Sequence, residues 1–181
     1  MITKLNLGSG LDYKKGWINL DYNKKCKPDI LWDITNPLPF NNNTFDKVIM
    51  IHVLEHFYNP LDIVNELWRI CKPNAKIIIK TPHWSCHFAY GDLTHKSYYS
   101  SRSFMHFNDA PDYYNSNARF NVIRKLNGIN PKERIGAKIW NFIFNPLLNF
   151  NYSLTENFFC KILPIYENIF ELKVIKKEKK E

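Results

Sequence analysis

Glycines and aspartates stand at the ends of successive apolar runs near the amino terminus. The run Leu5–Leu7 leads directly into Gly8 and Gly10, and glycine there permits a tight turn and a close approach of the backbone to a ligand. The next two runs end in Asp21 and Asp33. Ligands of open α/β sheets bind at the carboxyl ends of the strands, so this pattern predicts a nucleotide-type ligand whose ribose hydroxyls pair with Asp21. A dinucleotide site fits less well, because a third glycine is absent. In such sites the acidic residue usually follows the glycines by about 20 residues, and Asp21 lies closer to Gly10 than that.

A second group of reactive side chains follows the fifth apolar run. The stretch TPHWSCHFAYGDLTHK at residues 81–96 holds His83, His87 and His95 together with Asp92. Imidazole takes up a proton from a hydroxyl near neutral pH, and a neighbouring carboxylate orients the ring. We therefore expect His95 or His83 to be a general base, with Asp92 in support.

The same stretch offers two other interpretations. His83, Cys86, His87 and His95 have side chains that bind zinc or another transition metal, and loop histidines also often bond only to the backbone. Pro82 and the glycine at position 91 disfavour the continuous helix that would hold His83 and His87 on one face. We predict no metal site and keep this cluster as the alternative.

Four segments in a fixed order resemble the class I S-adenosylmethionine-dependent methyltransferases, specifically the small type 11-like group. They cover about residues 3–83 and read LNLGSG, GWINLDY, DILWDITNPLPFNNNTFDKVIMIHVLEH and ELWRICKPNAKIIIKTPH. The ending ELKVIKK also resembles the last strand of that family. The resemblance implies S-adenosylmethionine as cofactor and S-adenosylhomocysteine as product.

The resemblance also implies a role for individual residues toward this cofactor. Gly8 and Gly10 would let the loop pass close to its methionine part, and Asp21 would accept both ribose hydroxyls. Asp33, with Ile34 beside it, would contact the adenine.

Further positions that the resemblance covers lie at the ends of the first and fourth strands. His52 would line the cofactor cleft, and Leu54–His56 would form its floor. Asn6 stands where the family has an acid that contacts the cofactor's amino group. The helix that normally follows the first strand is reduced to Asp12–Gly16, which leaves one wall of the cleft open.

The function that we predict is methyl transfer to a small-molecule or glycan-like acceptor, at oxygen. A nucleic-acid (RNA) methyltransferase is an alternative, because the net charge is +8 with neutral histidines and an acidic partner would suit it. That alternative predicts basic residues around the cleft mouth, namely Lys96, Arg102, Arg119 and Arg124. A binding or scaffold protein that kept the fold and lost catalysis is the third hypothesis.

The elements that must position these residues alternate between short strands and helices. Strands are predicted at Lys4–Leu7, Trp17–Asp21, Asp29–Asp33, Phe45–Ile51, Lys76–Lys80, Arg119–Leu126 and Ile169–Ile175. Helices are predicted from Pro60 to Cys71, over Ser100–Phe107, and over Glu133–Leu148, where Pro146 bends or ends the helix. The order predicts a Rossmann-like α/β fold with a mostly parallel seven-stranded sheet, an antiparallel last strand and helices on both faces.

Length and composition are those of one globular domain. The 181 residues are 45% hydrophobic and 23% charged, which argues against global disorder. We predict a single domain with a cofactor half at about residues 1–83, an acceptor or lid half at about 84–165 and a final strand at about 166–176. The sequence has neither a signal-peptide core nor an apolar run of about 18 residues, so we expect a cytoplasmic protein without a membrane span.

Overall fold

One mixed seven-stranded sheet organises the chain. The computed structural model describes residues 2–109, 112–114, 116–128, 137–163 and 165–176. The strands lie in the order β3-β2-β1-β4-β5-β7-β6. They are β1 (Lys4–Leu7), β2 (Ile18–Asp21), β3 (Ile30–Leu31), β4 (Phe45–Ile51), β5 (Cys71–Pro82), β6 (Phe120–Asn127) and β7 (Glu167–Val174).

The strand directions confirm the predicted fold class. Strands β1 to β5 pair in parallel, whereas β7 runs antiparallel to both β5 and β6. In the central register Leu7 pairs with Leu20 of β2 and with Met50 of β4. All three side chains are fully buried, as expected for strands covered on both faces. The register places the carboxyl ends of β1, β2 and β4 at one edge of the sheet.

The helices of the described residues are short apart from two. They are α1 (Pro60–Ile70), α2 (His87–Gly91), α3 (His106–Asp109), α4 (Ala137–Phe150), α5 (Tyr152–Leu154) and α6 (Cys160–Ile162). Single 3-10 turns occupy Lys24–Cys26 and Leu54–His56, and a π-helical turn occupies Thr155–Phe159. Helix α1 packs against β5, and α3 and α4 pack against β6.

Helix α1 forms where its start signal predicts, with Pro60 at its first turn. Its fully buried face differs in part from the predicted one: Val64 and Leu67 are buried as expected, together with Ile63 and Ile70. The helix ends at Ile70, because the chain turns there directly into β5.

Two predicted helices of the second half differ from the observed ones. The segment 101–105 forms turns, and only His106–Asp109 is helical. Helix α4 runs through Pro146 to Phe150, so of the two predicted effects of this proline, a bend or an end, the end is wrong. A proline removes one backbone N–H donor but leaves the following residues free to continue the helix. The predicted start at residue 133 lies outside the described residues.

The connection from β1 to β2 is short and contains turns without a helix. Buried Asn19 organises it: its Oδ1 accepts the backbone N–H of Lys14 at 2.8 Å, and its Nδ2 donates to the carbonyl of Lys14 at 3.0 Å and to Asp29 Oδ2 at 2.9 Å. One amide side chain thus fixes the loop that stands here in place of a crossover helix.

The core consists of a large and a small cluster. The large cluster joins the first five strands, α1 and β7, and includes Leu5, Val48, Leu67, Ile77 and Phe170. The small cluster lies where α4 and α6 meet β6 and consists of Leu126, Leu148, Cys160 and Ile165. Within the part of the chain that the structure describes, no helix is long and apolar enough to cross a membrane.

Candidate functional site

The glycine turn after β1 is fixed by its neighbours at the sheet edge. Gly8 has a φ of +66°, and a Cβ atom there would lie 2.5 Å from Val53 Cγ2. The backbone N–H groups of Gly8 and Ser9 both donate to the carbonyl of Leu20, at 2.8 and 3.0 Å. Gly10 has a φ of +49° but faces open space. Gly8 therefore serves the packing of the turn, whereas Gly10 leaves room beside it.

Asp21 connects this turn to the end of β2. Its Oδ2 accepts the backbone N–H of Gly10 at 2.7 Å, and its Oδ1 accepts that of Asn23 at 2.8 Å. The residue is only 7% exposed. Each carboxylate oxygen has two lone pairs, so both oxygens keep capacity for another donor. The buried hydroxyl of Ser9 has no hydrogen-bond partner among the described residues. Open space at Gly10, spare acceptors on Asp21 and this unpaired hydroxyl fit a ligand with vicinal hydroxyls.

Asp33 and Ile34 lie at the next strand end. Both the backbone N–H and the hydroxyl of Thr35 donate to Asp33 Oδ1, at 2.9 and 2.8 Å, and these hydrogen bonds lower the pKa of the Asp33 carboxyl. Ile34 is partly buried and packs against the large core cluster. The backbone N–H of Trp32 donates to the carbonyl of Asp21 at 2.9 Å, which ties the two strand ends together.

Asn6 is engaged within the protein. Its Nδ2 donates to the carbonyl of Asp12 at 2.8 Å and to Asn19 Oδ1 at 3.0 Å. These two bonds use both amide hydrogens. The geometry assigns Asn6 to the short loop after β1, and the prediction that it contacts the cofactor stays without support from its contacts.

His52 follows β4 directly and has a left-handed backbone, with φ of +53°. Its backbone N–H donates to the carbonyl of Lys80 at 2.9 Å. Its ring lies between two buried acids: Nδ1 is 3.4 Å from Glu55 Oε1, and Nε2 is 3.7 Å from Glu167 Oε2. A left-handed conformation is uncommon for histidine and is found more often at functional sites.

A cleft of about 770 Å³ opens beside His52. This volume is in the range of small-molecule sites. It is lined by His52, Glu55, His56, Pro82, His87, Phe88, Gly91, Asp92, Leu93, His95 and Tyr166. The structure thus places His52, Asp92 and His95 of the predicted site in one cleft, together with Glu55 and His56 of the predicted floor. It adds Tyr166, which the sequence reasoning did not select.

Glu55, His56 and His95 form a compact group, which we name the EHH cluster. One potential ligand atom from each lies within 4.8 Å of the others, and the two imidazole centroids are 4.8 Å apart. The backbone carbonyl of Glu55 accepts the N–H groups of Lys96 and Ser97 at 2.7 and 3.1 Å. These two bonds attach the histidine-rich segment to the end of β4 and bring His95 to the cleft.

His95 is oriented by a backbone carbonyl rather than by a carboxylate. Its Nδ1 donates to the carbonyl of Ala89 at 2.9 Å, because a carbonyl only accepts. In the neutral ring Nε2 then carries the lone pair. Asp92 Oδ2 lies 4.0 Å from this Nε2, beyond hydrogen-bond distance, while hydrogen bonds from Thr94 lower the pKa of the Asp92 carboxyl. The predicted pair requires Asp92 to orient the His95 ring. In the structure the carbonyl of Ala89, and not Asp92, holds Nδ1 of this ring.

His83 does not line the cleft and is fully buried. Its Nδ1 accepts the backbone N–H of Ser85 at 3.1 Å, and its Nε2 lies 3.2 Å from Glu156 Oε1. Both ring nitrogens are engaged in the interior, so this geometry does not support His83 as the general base. The sequence could not exclude His83 because Glu156 lies 73 residues away.

The four-residue metal cluster considered from sequence does not form among the described residues. Cys86 is buried and His87 is exposed, and His83 faces Glu156. The short helix α2 begins after Cys86, which separates the side chains that a continuous helix would have aligned. The EHH cluster is the group of this kind that the described residues contain.

One sequence family matches part of the chain. Residues 8–79 match the sequence profile of a family described as a methyltransferase domain. This segment, less than half of the chain, is similar to that domain. The match covers the glycine turn, Asp21, Asp33 and β4, and it supports S-adenosylmethionine as the cofactor.

One relative is similar in sequence over a short segment. An uncharacterized protein of Methanocaldococcus jannaschii is 52% identical over 42 residues, which are 23% of this chain and 18% of that protein. The matched part therefore spans less than a fifth of that relative's length.

Solved structures of methyltransferases share the fold at low sequence identity. A SAM-dependent methyltransferase from Archaeoglobus fulgidus superposes with a TM-score of 0.60 at 14% identity, over 95% of this chain and 86% of that one. A complex of the Haloferax volcanii Trm112 methyltransferase activator with a putative methyltransferase gives 0.60 at 12%, over 97% and 83%. Phosphoethanolamine N-methyltransferase 2 of Haemonchus contortus, in complex with S-adenosyl-L-methionine, gives 0.57 at 12%, over 97% and 50%.

The contrast between the two glycines can be tested by alanine substitution. Gly8→Ala is expected to lower the free energy of unfolding by about 2–4 kcal/mol, because it adds a clash with Val53 to the cost of the positive φ. Gly10→Ala is expected to cost only about 1–2 kcal/mol in stability but to weaken binding of S-adenosylhomocysteine. Urea unfolding and calorimetric titration measure the two effects. Equal destabilisation by both substitutions would contradict the assigned roles.

Glu156 provides a second prediction, for acid stability. Burial raises the pKa of its carboxyl, but hydrogen bonds from His83, Trp84 and Ser101 outweigh burial and lower it to about 2. The group therefore stabilises the folded state above its ordinary pKa of about 4.3, and this stabilisation is lost as the pH falls toward 2. Glu156→Gln is expected to reduce stability at pH 7 by roughly 2 kcal/mol. It should also flatten the decline of stability between pH 4.5 and 2 in urea titrations. Asp62→Asn, at an exposed position of α1, is the control.

Proposed function

We propose that this chain transfers the methyl group of S-adenosylmethionine to a hydroxyl oxygen of a small-molecule or glycan-like acceptor. The observation that carries the proposal is the cleft at the carboxyl edge of the sheet. His52, which directly follows a strand of the methyltransferase domain, and His95 of the acceptor half both line it. A cofactor held by the strand ends and an acceptor held by the histidine-rich segment would meet there.

The cofactor side of the proposal uses residues of the described strand ends. Asp21 would accept the ribose hydroxyls, Gly10 would leave space for the methionine part, and Asp33 with Ile34 would contact the adenine. His52 would line the cleft between them and the acceptor. When bound, S-adenosylmethionine supplies a methyl group on a positively charged sulfur, which makes alignment the main task of the protein.

The acceptor side of the proposal uses His95. Its Nε2 carries the lone pair in the neutral ring, because Nδ1 donates to Ala89. The acceptor hydroxyl would donate its proton to this Nε2 as its oxygen attacks the methyl carbon. The products would be a methyl ether and S-adenosylhomocysteine. His83 has no part in this proposal, and Asp92 acts only through its charge at 4.0 Å.

The lining of the cleft supports a neutral hydroxyl acceptor. Phe88 and Tyr166 present aromatic surface, with ring centroids 6.0 Å apart, and aromatic rings pack well against sugars and other flat or apolar ligands. The described lining residues include two acids, Glu55 and Asp92, and no lysine or arginine. These acids would therefore repel the negatively charged phosphate backbone of a nucleic acid in this cleft.

The basic residues expected for a nucleic-acid methyltransferase do not line the cleft. Arg119 pairs with Asp112, and Arg124 lies over the ring of Tyr152. Lys96 lies 5.1 Å from the ring centroid of Tyr58. Arg119 thus has its charge paired with an acid, and none of these residues lines the cleft, so no observation favours this alternative.

Cofactor binding is the first test of the proposal. Native mass spectrometry of the full chain with S-adenosylhomocysteine should show a one-to-one adduct, and Asp21→Ala should reduce its affinity at least about 100-fold because two charge-assisted hydrogen bonds are lost. Asp62→Ala, on the exposed side of α1, should bind like the unmodified chain. A folded protein that forms no adduct would favour the scaffold hypothesis.

The role of His95 is tested by turnover with a panel of hydroxylated acceptors, beginning with sugars. His95→Gln is expected to lower kcat about 10²- to 10⁴-fold while the affinity for S-adenosylhomocysteine stays unchanged. His106→Gln, outside the cleft, is the matched control. A kcat of His95→Gln close to that of the control would remove His95 from the mechanism.

A further inference from the structure

Glu55 is a buried acid whose carboxylate accepts no hydrogen bond among the described residues, although the His52 ring lies beside it. It is 1% exposed, and neither carboxylate oxygen has a hydrogen-bond partner among the described residues. The ring nitrogens nearest to Oε1 are His52 Nδ1 at 3.4 Å and His95 Nε2 at 4.0 Å. A buried, unpaired carboxylate is costly unless a cation or strong donors compensate it, so the position calls for a positive ligand.

Hydrogen bonds leave His56 with a lone pair for such a ligand. Thr94 donates its hydroxyl hydrogen to Asp92 Oδ1 at 2.6 Å, so its oxygen accepts from His56 Nδ1 at 2.9 Å. Nε2 of His56 then carries the lone pair. The chain Asp92–Thr94–His56 thus fixes one tautomer, as carboxylates do for metal-binding histidines.

His95 is held in the same tautomer by an independent contact. The carbonyl of Ala89 takes its Nδ1 hydrogen, and its Nε2 faces Glu55 Oε1. Both histidines therefore combine a donor bond on Nδ1 with a lone pair on Nε2. Two imidazoles and a carboxylate form a ligand set that binds zinc and related divalent ions.

The spacing of the EHH cluster suits such an ion after a small adjustment. Its ligand atoms lie within 4.8 Å of one another, whereas atoms that share one zinc ion at bond lengths of about 2 Å lie roughly 3.3 Å apart. The ligand atoms must approach one another by up to about 1.5 Å, and rotation of the exposed His56 side chain supplies part of this change. The nearby charge of Asp92, 4.0 Å from His95 Nε2, adds to the attraction for a cation.

We propose that Glu55, His56 and His95 bind one divalent transition-metal ion of the zinc class. Three protein ligands leave at least one position of the ion open to the cleft. The inference rests on the proposed function of the same cleft and changes one role in it, because His95 becomes a ligand in the metal-loaded protein. The acceptor hydroxyl would bind the open position, where the ion lowers its pKa. The hydroxyl proton would pass to water, and the oxygen electron pair would form the bond to the methyl carbon. The methyl–sulfur bond would break in the same step, its electron pair would stay on the sulfur, and S-adenosylhomocysteine would leave.

Metal binding is tested on the full chain after removal of metals with a chelator. Zn²⁺ is added, excess is removed by gel filtration, and bound zinc is measured by elemental mass spectrometry and calorimetric titration. One ion per chain is expected. Glu55→Gln and His56→Gln should weaken binding at least about 100-fold, and Thr94→Val, which removes the hydroxyl between Asp92 and His56, about 10-fold. His106→Gln should bind like the unmodified chain.

Two controls keep the outcomes distinct. The unfolding midpoint of each chelated variant should match that of the chelated parent chain, which shows that lost binding is not lost folding. The absorption spectrum of the Co²⁺-loaded chain should show the d–d bands of a four- or five-coordinate site. Substoichiometric zinc in the parent chain, or equal zinc affinity in Glu55→Gln, His56→Gln and the parent, would overturn the proposal.

Cofactor binding separates this inference from the proposed function. If the chelated chain binds S-adenosylhomocysteine and does not bind Zn²⁺, the metal site is wrong and the cofactor site stands. If Zn²⁺ binds at the EHH cluster and S-adenosylhomocysteine does not bind, the metal site stands and the methyltransferase proposal fails. With both bound, His56→Gln should lower kcat at least about 10-fold if the ion acts in turnover, whereas a base-only role of His95 would leave kcat near that of His106→Gln.

Discussion

The close passage of Gly8 beside Val53 is the constraint on which the rest of the site depends. A Cβ at Gly8 would lie 2.5 Å from Val53 Cγ2, so only glycine lets the end of β1 approach the residues that follow β4 at this distance. That approach fixes the glycine turn, in which the backbone N–H of Gly10 donates to the carboxylate of Asp21. It also fixes the path of the chain from His52 into the turn Leu54–His56. One steric contact thus fixes both the glycine turn beside Asp21 and the turn that carries Glu55 and His56 to the cleft.

The second half of the chain is attached to this frame by backbone hydrogen bonds. The backbone carbonyl of Glu55 accepts hydrogen bonds from the N–H groups of Lys96 and Ser97. The backbone N–H of His83 donates to the carbonyl of Tyr166 at 3.2 Å. Backbone bonds do not depend on side-chain identity, so the segment between them can vary in sequence while it stays at the sheet edge. The histidines and aromatic rings of residues 84–95 are therefore the part of the protein in which acceptor specificity would be encoded.

The strand pattern was predictable because it follows from local chemistry. The inner parts of two strands, Val48–Ile51 of β4 and Ile77–Ile79 of β5, are continuously apolar, as is typical of strands covered on both faces. The start of α1 is set by Pro60. The course of α4 through Pro146 and the late start of α3 at His106 were not predictable. Packing against β6 decides both, and that packing partner is not visible in a local sequence window.

The sequence by itself determined which candidate residues follow which strands. These are the glycine turn, Asp21, Asp33 and the histidine-rich segment that follows β5. It could not decide which histidine is buried, because His83 and His95 have similar local contexts. Only the tertiary structure separates them. It pairs His83 with Glu156, 73 residues away, and it places His95 beside Glu55, 40 residues away, at the cleft. Proton and metal chemistry depend on distances of a few ångströms between side chains, and such distances are set by the fold of the whole chain rather than by sequence spacing.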